Sequence, residues 1–216
     1  MSIKPSSVRS LPASSAEHTL SRHDLGLRIR RARQELGLTL HELAERSGVS
    51  LASLSKAERG LNALSYEKFL AVSRALDLDL SALFGQPASL RPCQVIVDRA
   101  GEEVQYVAHR YHYGMLATAW ANKKMTPMYG RVEPGQPIDA ADFSKHAGEE
   151  FIFVLRGSLT MQFEDGRTET LHERDSLYFD SALGHHYLCA SPDTVEILVV
   201  CVNDPDPASP TGPPDG

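Results

Sequence analysis

The chain has 216 residues, of which 42% are hydrophobic, and it carries a formal net charge of −6. This length leaves room for two modest domains and their tails. No apolar run approaches the roughly 18 residues of a membrane-spanning helix, so we expect no membrane span. The acidic balance also argues against a chain that binds nucleic acid along its whole length.

The charge is divided unevenly. Residues 21–85 hold ten Lys or Arg against eight Asp or Glu, whereas residues 86–216 hold ten against nineteen. A slightly basic segment joined to an acidic one is the pattern of a nucleic-acid reader attached to a domain that stays away from phosphates. A net charge of +2 on residues 21–85 holds DNA weakly at physiological salt, which favours two copies on one site.

The two ends of the chain lack hydrophobic periodicity. Residues 1–20 are rich in Ser and have no apolar signal-peptide core, and residues 204–216 are dominated by Pro, Asp and Gly. Both are predicted to be disordered tails. The three cysteines, Cys93, Cys189 and Cys201, are odd in number and far apart, which predicts reduced, mostly buried thiols in a cytoplasmic protein.

Residues 38–60 predict two short helices joined by a tight turn. Thr39 can cap the first helix, with Glu42 completing a capping box. Gly48 ends that helix where a positive φ is required, and Ser50 can cap the next one. This unit is the one that lays a helix in the major groove of DNA.

Residues 25–84 resemble the phage-repressor (XRE) family of helix-turn-helix proteins. The resemblance is carried by Ile29, Arg33, residues 37–39 (GLT), 42–44 (ELA), 48–50 (GVS), 54–55 (LS), 58–60 (ERG) and the later 70, 75–76 and 83–84. In this family an arginine at the Arg33 position often pairs with a glutamate at the Glu58 position, which implies a structural role for both.

The resemblance also implies a set of DNA-contacting residues, because it starts the recognition helix at Ser50. Lys56 can donate to guanine, and Ala52 can offer only apolar contact to a thymine methyl. Lys56 and Arg59 could equally be ordinary solvated charges. The predicted set is Thr39, Ser50, Leu51, Ala52, Ser53, Lys56 and Arg59.

A change of periodicity follows residues 85–87, where we place the domain boundary. Short alternating or β-branched runs separated by turn residues then predict an antiparallel sandwich or barrel. The predicted strands are residues 94–97, 104–108, 128–132, 150–155, 159–163, 176–179, 186–189 and 195–202.

Residues 146–187 resemble the cupin family of jelly-roll barrels. Residues 146–157 (HAGEEFIFVLRG) match the first cupin motif, and residues 175–187 (DSLYFDSALGHHY) match the second. The sequence therefore predicts an α + β protein of two domains. These are an all-α helix-turn-helix bundle at 21–85 and an all-β jelly-roll barrel at 106–203, with a linker and first strands at 86–105.

Metal-binding cupins use three histidines and a glutamate. The resemblance implies His146, Glu150 and His185 as three of these ligands, while Ser144 stands where the fourth is expected. Such a triad with open positions can hold Zn, Fe, Ni or Cu. Alternatively, the barrel holds no metal, and the same three residues with Tyr178 hydrogen-bond a small effector.

Other residues near the barrel are open to two interpretations. Aromatic and basic groups at residues 111–113, Trp120 and residues 123–124 could line the barrel mouth and bind an anionic or aromatic effector. They could equally pack against the helical domain or a second subunit. Alternation along the strands predicts that Glu150 faces the lumen and that His186 faces away from it.

The order of a helix-turn-helix followed by a cupin resembles a known type of transcriptional regulator. It implies a double-stranded DNA operator, a small-molecule effector in the barrel and a homodimer with its recognition helices about one DNA turn apart. Repression is the commoner outcome in such regulators, and no catalytic residues are expected. Two alternatives stay open: a cupin metalloenzyme, an oxygenase or isomerase, with an accessory helix-turn-helix, and an antitoxin-like protein that binds a protein partner.

Overall fold

A computed structural model describes residues 20–78, 83–84, 95–108, 110–120, 123–135 and 143–202. The predicted tails at 1–19 and 204–216, the boundary at 85–87 and Cys93 lie outside the described residues. Within them the helices precede the strands, which confirms the predicted α + β class.

Four helices of the amino-terminal bundle lie wholly within the described residues: α1 (Arg22–Glu35), α2 (Leu40–Ser47), α3 (Leu51–Glu58) and α4 (Tyr66–Ala75). The predicted caps are confirmed. Thr39 and Glu42 form a complete capping box at α2, and Gly48 ends α2 with φ 67°. Ser50 caps α3 by accepting a hydrogen bond from the backbone of Ser53.

The bundle core collects one apolar face from each helix. Its fully buried side chains include Ile29, Leu43, Leu54 and Phe69. Helices α1 and α3 approach closely at Gly26, where a Cβ atom would lie 2.3 Å from the carbonyl oxygen of Ala57. This contact fixes the recognition helix against the rest of the bundle.

The predicted Arg33–Glu58 pair also joins α1 to α3. The Arg33 Nε and Glu58 Oε1 atoms are 2.6 Å apart, and the two side chains are only 12% and 7% exposed. Arg33 also donates to the Leu38 carbonyl at 2.7 Å. The hydrogen bond to Glu58 raises the pKa of Arg33. The pair is therefore nearly buried and fully hydrogen-bonded, the condition under which a buried charge is tolerated.

In the described residues, the second domain has nine antiparallel strands in two sheets. The six-stranded sheet has the order β1-β2-β3-β9-β4-β7, and the three-stranded sheet has the order β6-β5-β8. Inward residues of both sheets alternate with outward ones and form the core. The strands are β1 (Val104–Ala108), β2 (Tyr111–Met115), β3 (Met125–Val132), β4 (Glu149–Arg156), β5 (Ser158–Phe163), β6 (Thr168–His172), β7 (Ser176–Asp180), β8 (His185–Cys189) and β9 (Val195–Val202).

The strand prediction was wrong at three places. Residues 95–97 are not in a strand, and Val95 is 74% exposed, because β-branched residues need a cross-strand partner to form one. Strand β2 was missed because its run of aromatic and basic residues contains Gly114 and lacks alternation. Strand β6 was missed because only Leu171 in it is buried, so it has no apolar periodicity.

The two domains pack directly on each other. Tyr106 of β1 donates a hydrogen bond of 2.6 Å to the carbonyl of Leu64, just before α4. Its ring packs edge-on against Phe69 at a centroid distance of 4.9 Å and lies 5.8 Å from Phe84. Helix α4 is therefore held between the helical core and the barrel.

The Glu58→Ala variant tests the buried pair. It leaves the Arg33 guanidinium buried without its carboxylate, so we expect a loss of about 3–5 kcal/mol in the free energy of unfolding. The matched control is Glu35→Ala, which breaks the exposed Arg31–Glu35 pair and should cost at most about 1 kcal/mol. Urea unfolding followed by helical circular dichroism measures both, and equal losses would refute a structural role for the buried pair.

Candidate functional site

The recognition helix presents most of the predicted DNA-contacting residues to solvent. Leu51 is 46% exposed, as Leu27 and Leu36 of the same bundle also are to a similar degree. Ser53 differs from the others in being half-buried. The remaining exposed members are Thr39, Ser50, Ala52, Lys56 and Arg59.

Several members of this set, Thr39 among them, also make local hydrogen bonds. The hydroxyls of Ser50 and Ser53 are 2.9 Å apart, and Arg59 donates from Nε to the Ser55 carbonyl at 3.1 Å. Their remaining donors stay available to phosphates. The structure therefore places six members of the predicted set on α3 and its two caps, while Thr39 caps α2.

Glu150 faces the barrel lumen, as strand alternation predicted. In β4 the residues Glu150, Ile152 and Val154 are buried, while Glu149 is exposed. Tyr178 stands opposite Phe151 in the pairing of β4 with β7. Both residues of this pair lie on the outer face of the sheet, which explains why Tyr178 is 62% exposed.

The structure therefore does not bring Tyr178 to the other predicted effector residues. Its hydroxyl donates instead to the outward Glu149 at 2.5 Å. The neighbouring Phe179 has the inward parity, because it stands opposite Glu150. A shift of one residue along a strand is enough to move a side chain to the other face.

His146, Glu150 and His185 converge in the lumen. The Nε2 atoms of His146 and His185 lie 3.1 Å and 3.6 Å from Glu150 Oε2. All three side chains are at most 4% exposed. The backbone fixes both histidines, since the His146 amide donates to the Ser181 carbonyl and His185 forms a β-bridge with Ser144.

The protonation of His185 follows from its neighbours. Its Nδ1 lies 2.9 Å from the Leu183 carbonyl oxygen, which can only accept, so Nδ1 carries the proton. Burial lowers the pKa of His185 and keeps the ring neutral. Its Nε2 lone pair therefore points towards Glu150, the orientation that a metal ligand requires.

Cys201 also lies in this cluster, although it lies outside both cupin motifs and was not predicted as a ligand. It stands directly opposite Glu150 in the pairing of β4 with β9, and it is 1% exposed. The ligand atoms of His146, Glu150 and Cys201 all lie within 4.8 Å of one another. Burial raises the pKa of the Cys201 thiol well above its usual value, and the nearby Glu150 acts in the same direction.

In the part of the chain that the structure describes, two buried polar atoms of the cluster have no hydrogen-bond partner. They are His146 Nδ1 and Glu150 Oε1. An unsatisfied buried polar atom costs about 1–3 kcal/mol, and a bound ion is one of its common explanations. Two imidazoles, a carboxylate and a thiol are also donors that transition metals accept, so the residues fit a divalent metal ion.

The lumen itself is small. The cavity around the cluster measures about 30 Å³ and is also lined by Tyr66 and Glu67 of α4. One water occupies roughly 10–15 Å³ by this measure, so the lumen has space for an ion or one or two waters. A metabolite does not fit in it.

A larger cleft lies between the two domains. It measures about 520 Å³, within the range of roughly 300–1,000 Å³ typical of small-molecule sites. Its walls come from both domains: Ser53, Asn62, Ala63, Leu64, Ser65, Glu67 and Lys68 from the helical side, and Ala108, Arg110, Tyr111, Tyr113, Ser144 and His186 from the barrel side.

Helix α4 connects the cleft and the lumen. Ser144 donates a hydrogen bond of 3.1 Å to Glu67, which also accepts from Ser65. Tyr66 lies edge-on to His146 at a centroid distance of 5.5 Å and is hydrogen-bonded to the Cys201 sulfur. The first turn of α4 therefore contacts both spaces.

Tyr111 and Tyr113 of β2 line both the lumen and the cleft between the domains. This position agrees with the interpretation in which residues 111–113 line the barrel mouth. Tyr111 donates to the Tyr187 carbonyl at 2.6 Å, and burial raises its pKa to about 12. Burial also raises the pKa of Tyr113 well above its usual value. His112 lines only the lumen cavity, and its Nε2 atom contacts Glu133 at 2.8 Å.

Comparison with known families confirms both predicted domains. Residues 29–83 match the family described as Helix-turn-helix, and residues 128–201 match the family described as Cupin domain. No curated protein sequence matches the chain. Among the described residues, none of the helices has the length and apolar character to cross a membrane.

Two solved structures illustrate the similarity. An HTH_3 family transcriptional regulator from Vibrio cholerae superposes with a TM-score of 0.57 at 17% identity, covering 86% of this chain and 98% of its own. At that identity the likeness shows the fold. Hydroxypropylphosphonic acid epoxidase from S. wedmorenis covers 84% of this chain and 98% of its own at 20% identity, with a TM-score of 0.44, too low to support an argument.

Proposed function

Because the chain joins a helix-turn-helix domain of the XRE type to a cupin domain, we propose that it is a transcriptional regulator controlled from the cleft between these domains. One observation carries this proposal: α4 belongs to the core of the DNA-binding bundle and also forms a wall of the cleft and of the barrel lumen. A ligand in the cleft therefore contacts the DNA-binding domain directly.

The operator contacts are assigned to the exposed face of α3 and its caps. Lys56 would donate to a base edge, and Leu51 and Ala52 would contact thymine methyl groups. The small positive charge of this domain favours a homodimer that presents two such helices to an inverted repeat. The protein would act in the cytoplasm, in contact with operator DNA.

The effector is proposed to be a small organic anion. Among its described lining residues, the cleft has two cationic side chains, Lys68 and Arg110, against one carboxylate, Glu67. The rings of Tyr111 and Tyr113 add apolar surface, and Ser144 adds a hydroxyl. This combination suits a carboxylate or phosphate group attached to a compact body.

The effector would weaken operator binding. Ser53 lies in the recognition helix and also lines the cleft, so ligand and operator compete for the same side chain. A ligand shifts the equilibrium only by its difference in affinity between the two states. Couplings of this kind are typically about 1–3 kcal/mol. The protein would then repress transcription until the effector releases it.

We assign the cupin domain a regulatory rather than a catalytic role. The histidine cluster opens into a cavity of about 30 Å³, which leaves no space for an organic substrate beside the possible ligands. An antitoxin-like role would require a protein partner in place of the effector. A protein that co-purifies in fixed stoichiometry would favour that alternative.

Lys56→Ala tests the DNA-reading assignment. Genomic fragments that bind the purified protein at about 0.15 M salt would be recovered and sequenced, with and without metabolite extract. On an enriched inverted repeat, the variant should bind about 5- to 150-fold more weakly, equivalent to about 1–3 kcal/mol for a base contact. The control Lys124→Ala removes an exposed lysine from the cupin side of the chain and should bind normally.

The fragment experiment also decides the broader proposal. If the wild-type protein enriches no sites under either condition, the regulator proposal is wrong. If it enriches sites but Lys56→Ala binds them with unchanged affinity and sequence preference, only the assignment of Lys56 as a DNA-contacting residue is wrong.

Arg110→Ala tests the cleft. Metabolite fractions that release the wild-type protein from its operator should fail to release this variant, while its operator affinity without effector stays unchanged. The control Arg156→Ala removes an exposed arginine at the end of β4 and should respond normally. Anisotropy of a labelled operator measures the release. If Arg110→Ala responds as the wild type does, the effector binds outside the cleft.

A further inference from the structure

We propose that Cys201 completes a four-ligand metal site with His146, Glu150 and His185 in the barrel lumen. In this site a thiolate takes the place of the histidine that Ser144 does not supply. The ligand class is a divalent transition metal that accepts sulfur, such as Zn²⁺ or Co²⁺. This site is separate from the effector cleft, and it does not depend on the proposed control of transcription.

The spacing of the donor atoms supports the site. Tetrahedral ligands at about 2.0–2.3 Å from a zinc ion lie roughly 3.3–3.6 Å from each other. The two imidazole Nε2 atoms lie 3.1 Å and 3.6 Å from Glu150 Oε2. Cys201 faces the same lumen from the adjacent strand, with its sulfur within 4.8 Å of the His146 and Glu150 donors. His185 is tied to this group through Glu150, so closing the site requires side-chain movements that bring the sulfur and the His185 Nε2 atom to one ion.

The charge of Glu150 also calls for a cation. Glu150 is 1% exposed, and its ion-pair contacts among the described residues are the two histidines. Glu150 Oε1 is also buried and has no hydrogen-bond partner among the described residues, which leaves an acceptor for a cation. A divalent ion supplies the missing charge and can also occupy an orphaned acceptor.

The sulfur donor determines which metals suit the site. Thiolate and imidazole ligands favour zinc, cobalt and iron over magnesium, calcium and manganese, which prefer oxygen. Metal binding would convert the Cys201 thiol to a metal-bound thiolate and release one proton to solvent. Four protein ligands close a tetrahedral site, which is the arrangement of structural rather than catalytic zinc.

The site would also stiffen the connection between the domains. Tyr66, the first residue of α4, is hydrogen-bonded to Cys201 and packs edge-on against His146. A metal that fixes these two ligands therefore fixes the amino-terminal end of α4. The metal would act as a structural clamp between the barrel and the DNA-binding bundle.

The test uses the full chain, freed of metal with a chelator and titrated anaerobically with Co²⁺ under reducing conditions. We expect the visible absorption of tetrahedral cobalt together with a near-ultraviolet sulfur-to-cobalt charge-transfer band. Cys201→Ser should lose the charge-transfer band and bind Co²⁺ at least about tenfold more weakly, the loss that even an outer-shell substitution can cause. The control is Cys189→Ser, whose thiol is half-exposed and hydrogen-bonded to the carbonyl oxygens of Ser191 and Asp193.

A measurement without variants protects the test against misfolding of Cys201→Ser. X-ray absorption of the zinc-loaded wild-type protein should show one sulfur neighbour at about 2.3 Å. The proposal fails if the wild type binds no metal, or if its bound metal has no sulfur neighbour. Operator binding measured on the same samples separates this failure from a failure of the proposed function, since a regulator without metal would still bind its operator.

Discussion

The shared position of helix α4 is the constraint on which the rest of the structure depends. Phe69 and Leu70 bury one face of α4 in the helical core, while Tyr66 and Glu67, in its first turn, line the barrel lumen. The buried hydrogen bond from Tyr106 to the Leu64 carbonyl fixes where the helix begins. Because interiors are packed as densely as crystals, a helix held on two sides transmits a displacement instead of absorbing it. A displacement of α4 would therefore alter contacts in both the helical core and the barrel.

Strand register decides which side chains meet in the lumen. Glu150 stands opposite Cys201 on one neighbouring strand and opposite Phe179 on the other. These three share the inward parity, and a shift of one residue would replace them with Glu149, Val202 and Asp180. The bulge in the pairing of β4 with β9 lies near Val154 and Arg156, beyond the cluster. The ladder at the site is therefore regular, and the alignment of its donors follows from ordinary antiparallel pairing.

Much of the fold could be predicted from the sequence because its signals are local. The capping box at Thr39, the left-handed Gly48 and the parity of Glu150 depend on residues a few positions apart. Cys201 was missed for the opposite reason. It shares the inward parity of Val195, Ile197 and Val199 in β9, but that pattern marks it only as a core residue. Its position against Glu150 depends on the pairing of strands about fifty residues apart, which no local rule predicts.

Ser144 shows how one substitution can link the two sites. At this position metal-binding cupins have a histidine, whose side chain would enter the lumen. The shorter serine instead donates a hydrogen bond across the domain boundary to Glu67 of α4 and stays paired with His185 through the backbone bridge. A histidine here would gain a ligand and lose that contact. A serine in place of the histidine therefore removes a ligand and adds the domain contact at the same time. Because Cys201 stands opposite Glu150, the barrel could still present four donors while α4 is held at its mouth.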